Sequence, residues 1–272
     1  NDYYFASFYP EQPDLNWDNI EVQEEMLANM DFWIDIGVDG FRLDAVSFLI
    51  KREGTTSQSL PETHAMIKKI RQHVEAKNPE VILLPEASET VARTKEYFCN
   101  GDECHLVYHF PLMQAMWLSL ADNDKNITEK MIAESFDIPP GCQWAVFLRN
   151  HDDVSLYNLP KEDRLRVMDF LDPHHEYLFN KAQTTAVRIG TVFNGDQQKI
   201  IEAMQLLYAT PGAPIMYYGD EIGMRNLPST NGVFDTRKFV RGDFDWKEAQ
   251  RQMKDPNSLF NPQRRKNSDY YG

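Results

Sequence analysis

Apolar residues recur along this chain in two alternating rhythms, one of period 3.6 and one of short continuous runs. Over residues 19–36, Val22, Met26, Met30, Trp33 and Ile34 fall on one side of a helix, with Asn19 as N-cap and Gly37 as stop. Residues 38–44 then form a short strand. Pro61 opens a second helix that buries Ile67, Ile70 and Val74 and ends near Asn78-Pro79. Residues 81–84 are a continuous apolar run, too short for a helix and suited to a strand covered on both faces. Further strand runs lie at 105–110, 144–149 and 214–218. Helices are predicted over 112–121, 128–136, 161–171 and 196–208, with weaker helical character over 247–253. Residues 1–18 read as a loop leading into this array, and 19–272 as the array itself. The stretch 155–192 is irregular apart from its one helix, and a connection that long is usually functional.

Strand and helix alternate at roughly 40 residues per unit, which predicts an α/β fold with a parallel sheet and helices outside it. The five strand runs do not close an eight-stranded barrel. Either three strands precede residue 1, or the sheet is open.

Composition narrows the function classes. The 272 residues carry 28 basic and 42 acidic side chains, a net charge of −14. That argues against a nucleic-acid partner, which would want a basic stripe, and favours a soluble protein with a neutral or cationic ligand, or reflects simple solubility. No run of about 18 apolar residues suggests a membrane span, and no signal peptide is evident. The chain opens on Asn1 rather than Met, which reads as the start of a piece. Its three cysteines, Cys99, Cys104 and Cys142, are too few for a disulfide framework. Cys99 and Cys104 with His105 lack an evident fourth zinc ligand, so the reading is ordinary thiols in a reducing, cytoplasmic compartment.

Chemistry is concentrated at the C-terminal ends of three strand runs, where an α/β barrel places its active site. Asp44 ends the first run, and Arg42, two residues earlier, shares its face. A neighbouring guanidinium keeps a carboxylate ionised, as a nucleophile requires, although a structural ion pair has the same spacing. Glu86 follows four apolar residues and Pro85. Apolar surroundings would raise its pKa and suit a proton donor; a solvated or capping Glu is the alternative. Asn150, His151 and Asp152 follow a buried run and can hydrogen-bond a polyol, or can start a loop through an Asx turn. Tyr108 and Phe110 alternate on one strand and are expected in the core, with a ring face offered to a sugar as the alternative; the helix-spaced methionines are expected in the core. Asp220-Glu221 is read as structural support for the last strand's turn.

Together these segments resemble, in order and spacing, the conserved regions of the α-amylase family of glycoside hydrolases and transglycosylases. Residues 39–44, 84–87 and 147–152 look like the family's nucleophile, acid/base and third-acid segments on strands four, five and seven. Residues 12–16 resemble its short signature before the fourth βα unit, and 217–223 its strand-eight end. The resemblance implies a (β/α)8 TIM-barrel catalytic domain, of which about strands four to eight are here and the N-terminal strands are missing. It implies Asp44 as nucleophile, Glu86 as general acid/base and Asp152 as transition-state stabiliser. Arg42, Asn150 and His151 would line the first sugar subsite, and Arg241 would help close its far end.

The implied substrate is an α-glucoside, whether maltose, trehalose or an α-glucan. No nucleic-acid or membrane partner and no essential cofactor is implied. No metal ligand set is assigned within the chain, and the resemblance leaves calcium binding by the whole protein open. Residues 101–111, 149–152, 211–214 and 217–224 look like trehalose synthases and related maltose-active members. Those synthases usually continue His-Asp-Glu, where this chain has His151-Asp152-Asp153. Hydrolysis and maltose–trehalose isomerisation therefore both stay open, beside a non-catalytic role for the isolated piece.

Overall fold

In the computed structural model, which describes residues 4–230, 232–258 and 260–261, the chain folds as two units. One runs to Tyr108 and includes Asp137–Ala145; the other comprises His109–Phe136 and the chain from Val146.

The first unit begins its regular structure at α1 (Ile20–Ile36). The Asn19 side chain accepts from the Glu21 N–H, and Gly37 ends the helix at φ 103°, a left-handed conformation that costs glycine little. Met30 and Ile34 are buried as the spacing predicts, but Trp33 is 45% exposed. It lies at the margin of the apolar stripe and meets Phe32 edge-on at 5.3 Å. Helix α2 (Pro61–Lys77) buries Thr63, Ile67, Ile70 and Val74. Its polar side chains meet α1 at His73–Asp31, 2.9 Å, and Lys77–Asp35, 2.7 Å.

Strand β1 (Gly40–Leu43) and β2 (Ile82–Pro85) pair in parallel, Gly40 opposite Ile82 and Leu43 opposite Pro85. The strands approach so closely at Gly40 that a Cβ there would lie 2.6 Å from Ile82 Cγ1 and 2.7 Å from the Ile82 carbonyl oxygen. The one-turn helix α3 (Val91–Lys95) follows. Strand β3 (Leu106–Tyr108) then pairs in parallel with β4 (Gln143–Phe147), whose first three residues belong to this unit. His105 joins the two pairs: its N–H donates to the Leu83 carbonyl at 3.2 Å, and its Nδ1 accepts from the Leu83 N–H at 3.0 Å. Leu83, Val107, Phe98 and Trp144 form the buried centre, with Phe98 and Trp144 edge-to-face at 4.8 Å.

The second unit is built on α4 (Phe110–Asp122), buried continuously from Phe110 to Ser119. Phe110 is therefore a helical residue and not the strand residue that its alternation with Tyr108 suggests. His109 Nδ1 accepts from the Leu112 N–H at 3.1 Å, and Pro111 sits in the first turn, where its fixed φ suits a helix start. Phe110 still serves the core, packing on Phe147 at 5.0 Å. Helix α5 (Asn126–Ser135) packs on α4 through a Ser119–Thr128 hydroxyl pair at 2.7 Å. Trp117 Nε1 donates to the Leu148 carbonyl at 2.7 Å.

Helix α6 (Lys161–Leu171) matches its predicted bounds. The rest of 155–192 is more ordered than its sequence suggests. It holds the antiparallel pair β5 (Leu178–Phe179) and β6 (Thr184–Thr185) and the one-turn α7 (Ile189–Val192). Helix α8 (Gln197–Ala209), capped by Asp196, leads to β7 (Ala213–Ile215), and α9 (Trp246–Lys254) follows two 3-10 turns at Asp220–Ile222 and Thr236–Val240. The strand runs predicted at 38–44, 105–110, 144–149 and 214–218 are each longer than the strand that forms there. The tail predicted within 19–272 lies outside the described residues from 262 onward.

Candidate active site

Each unit carries one cluster of the expected residues. In the first, the in-register pairing of β1 with β2 brings the two strand ends level. Asp44 follows Leu43 directly, Glu86 follows Pro85, and the Glu86 N–H extends the ladder to the Leu43 carbonyl at 2.9 Å. Arg42 bridges the two acids. Its Nη2 lies 2.6 Å from Glu86 Oε2, and its Nη1 donates to Asp44 Oδ1. Burial works against the Arg42 charge, but the Glu86 and Asp44 carboxylates outweigh it and hold the guanidinium above its usual pKa.

Glu86 is thus held in an ion pair, not in the apolar surroundings that its sequence neighbours suggest. It also accepts the Ala45 N–H at 3.1 Å. The side chains of Arg42 and Glu86 are largely covered, whereas that of Asp44 is 79% exposed. Ala45 adopts φ 42°, ψ 34°, a left-handed conformation rare for alanine, and so turns the chain sharply just after Asp44. Burial pushes the Tyr108 hydroxyl up; the nearby Arg42 opposes this and Glu86 adds to it.

In the second unit, Asn150 Oδ1 accepts the Asp152 N–H at 2.8 Å, forming the Asx turn that its sequence allows. Asp152 follows with its carboxylate held by two guanidiniums and faced by an imidazole. Arg237 Nη1 lies 3.1 Å from Oδ1, Arg241 Nη2 donates to the same oxygen, and His151 Nε2 stands 3.4 Å from Oδ2. Arg241 also fixes the turn itself, its Nε donating to the His151 carbonyl at 2.8 Å. Arg241, predicted to close a subsite, is therefore first of all a clamp on Asp152.

Arg237 was not anticipated from the sequence. Its place four residues before Arg241 is the one hint in the chain. It is steadied by Asp235, 2.8 Å from Nη2, and by the Phe179 ring at 4.5 Å. Burial, then the Asp152 charge, push the neighbouring Asp153 carboxyl up to about 6, while Thr184 and Arg237 pull it down.

The remaining candidates take structural places. Asp220 is buried 3.8 Å from Arg188. Burial pushes its carboxyl up to about 7, against the opposing charges of Arg149 and Arg188. All three cysteines are free thiols. Among the described residues no three His, Cys, Asp or Glu side chains converge as a metal site, and no helix is long and apolar enough to cross a membrane.

Two acids on neighbouring strand ends, sharing one guanidinium, can attack and protonate opposite sides of one bond. An acid ringed by guanidiniums is fixed in place as a hydrogen-bond acceptor. Comparison with known proteins gives the family. The α-amylase catalytic-domain model matches residues 1–269. The trehalose synthase/amylase of Mycobacterium tuberculosis is 40% identical over 233 residues, covering 83% of this chain and 38% of that protein. The trehalose synthase of Thermus thermophilus is 39% identical over 247 residues, covering 90% of this chain and 25% of that protein. This chain therefore spans well under half the length of these relatives.

Among solved structures, a sucrose 6F-phosphate phosphorylase from Thermoanaerobacter thermosaccharolyticum superposes with TM-score 0.74 at 18% identity, covering 92% of this chain and 53% of that one. The α-amylase of H. orenii does so at 0.60 and 21%, covering 96% and 49%. These likenesses are of fold. With strand ends, acids and family model in agreement, the chain belongs to the α-amylase family, as part of its catalytic domain.

Proposed function

We propose that the whole protein cleaves or transfers α-glucosidic bonds of maltose-type sugars with retention, through a covalent glucosyl-enzyme. In this reading β1, β2, β3, β4 and β7 are strands four to eight of a (β/α)8 barrel, and the protein works in the cytoplasm. The observation that carries the proposal is the Arg42 bridge between Asp44 and Glu86 at the level ends of two paired strands. Asp44 attacks the anomeric carbon while Glu86, protonated, donates its proton to the leaving oxygen. Glu86 then takes a proton from the incoming acceptor, whose oxygen displaces Asp44. Asp152 holds sugar hydroxyls as positive charge builds on the ring, and Arg42, Asn150, His151 and Arg241 complete the subsite.

The acceptor decides the product: water gives hydrolysis, whereas a retained glucose gives maltose–trehalose isomerisation. The identities of 39–40% to named trehalose synthases favour isomerisation as the second reading. The test is product analysis of the whole protein on maltose, with Asp44→Asn alongside. Loss of turnover by at least about 10³-fold is expected for the variant, and unchanged turnover rejects the proposal. Trehalose, or glucose alone, as the main product of the unaltered protein separates the two readings.

A further inference from the structure

The second unit buries a guanidinium that the proposed chemistry leaves unused. Arg188 is wholly inaccessible. A charge so placed is costly unless its donors are used, and two of them are used on main chain. Nε donates to the Val240 carbonyl at 3.0 Å and Nη1 to the Tyr218 carbonyl at 2.7 Å. Its plane lies over the rings of Tyr217 and Tyr218 at 4.6 and 4.7 Å. The same tyrosines reach the same segment: Tyr217 Oη donates to the Val240 carbonyl at 3.3 Å and Tyr218 Oη to the Gly242 carbonyl at 2.6 Å.

Arg241 sits between these two held carbonyls, and Arg237 lies in the turn that ends at Val240. Both guanidiniums clamp the Asp152 carboxylate. Arg149, stacked on Tyr217 at 4.4 Å, holds the Asp152 main-chain carbonyl at 3.2 Å. Side chain and main chain of Asp152 thus both lead back to one tyrosine ring that two buried guanidiniums contact.

We propose that Arg188 is a positioning residue for Asp152, fixing the Val240–Gly242 main chain and so the two arginines that hold the carboxylate. The inference rests on the reading of Asp152 as transition-state stabiliser. Lysine cannot replace Arg188, because a single ammonium does not reproduce the fork that spans two carbonyls from different segments.

The test uses the whole protein on maltose, with Arg188→Lys, Tyr218→Phe and Asp152→Asn singly and each of the first two combined with the third. Arg188→Lys is expected to lower kcat about 10- to 100-fold, and Tyr218→Phe less, in the same direction. In the Asp152→Asn background both losses should shrink to less than about 3-fold, because the group being positioned is gone. Equal losses with and without the Asp152 carboxylate overturn the positioning role while leaving the proposed function standing. Full turnover by Asp152→Asn alone overturns the stabilising role of Asp152 and the inference with it. Thermal unfolding of each variant identifies any that fails to fold, and Tyr218→Phe, which removes no buried charge, then carries the test.

Discussion

The two clusters solve opposite electrostatic problems with the same side chains. In the first unit one guanidinium serves two carboxylates, and Asp44 stays open to solvent. In the second, two guanidiniums and an imidazole surround the one carboxylate of Asp152. Carboxylates that share a cation can exchange charge and protons during a reaction, because neither is fully neutralised. A carboxylate that monopolises its cations is fixed in charge and place. The contrast suits the proposed division of labour, with bond-making and proton transfer at Asp44 and Glu86 and transition-state stabilisation at Asp152.

The sharpest way to break that contrast is to vary the leaving group. Glu86→Gln is expected to lose about 10²- to 10⁴-fold on maltose. On an aryl α-glucoside whose phenolate departs without a proton, most of the loss in the first, glucosyl-transferring step should vanish. Asp152→Asn should be equally impaired on both substrates, and pre-steady-state release of the phenol measures this. If both variants respond alike to the leaving group, the division of labour is wrong.

Next in size is Gly40→Ala, which drives a methyl group into the Ile82 backbone and side chain. Forcing β1 and β2 apart should cost about 1–3 kcal/mol. It should also lower activity in the fraction that remains folded, by unsettling the alignment of Asp44 with Glu86. Urea unfolding and active-site titration check it, and a stability equal to that of the unaltered protein counts against the close approach.

An effect on stability of comparable size concerns Asp153. Its carboxyl is raised from 3.8 to about 6 in the fold, so the folded protein binds the extra proton between those values. That contribution is full below about pH 4 and is lost as pH rises through about 6. Across this window the native protein should lose up to about 3 kcal/mol relative to Asp153→Asn, less in proportion to its residual exposure. Urea midpoints at several pH values measure the difference, and parallel curves would exclude it.

Much of this was legible in the chain, for reasons that differ by residue. Asn19, Gly37 and Pro61 mark helix ends because caps act through local backbone chemistry. Arg42 and Asp44 share a strand face, and that local rule carried through to their contact. Glu86 did not obey its immediate neighbours, because its environment is set by Arg42 on another strand. Phe110 was misplaced because alternation cannot distinguish a strand end from a helix whose first turn holds Pro111. Arg237 went unseen because its meaning depends on Asp152, 85 residues away. The hairpin of β5 and β6 escaped because each strand is only 2 residues long.

The left-handed Ala45 has a consequence for anyone who engineers this protein for heat resistance. A search for strained backbone would single out position 45 and suggest glycine, which adopts that conformation without steric penalty. The relief would come one residue from Asp44, at the amide that donates to Glu86. Durability gained there would loosen the one turn whose rigidity aims both acids, so a stabilising scan should leave this alanine alone.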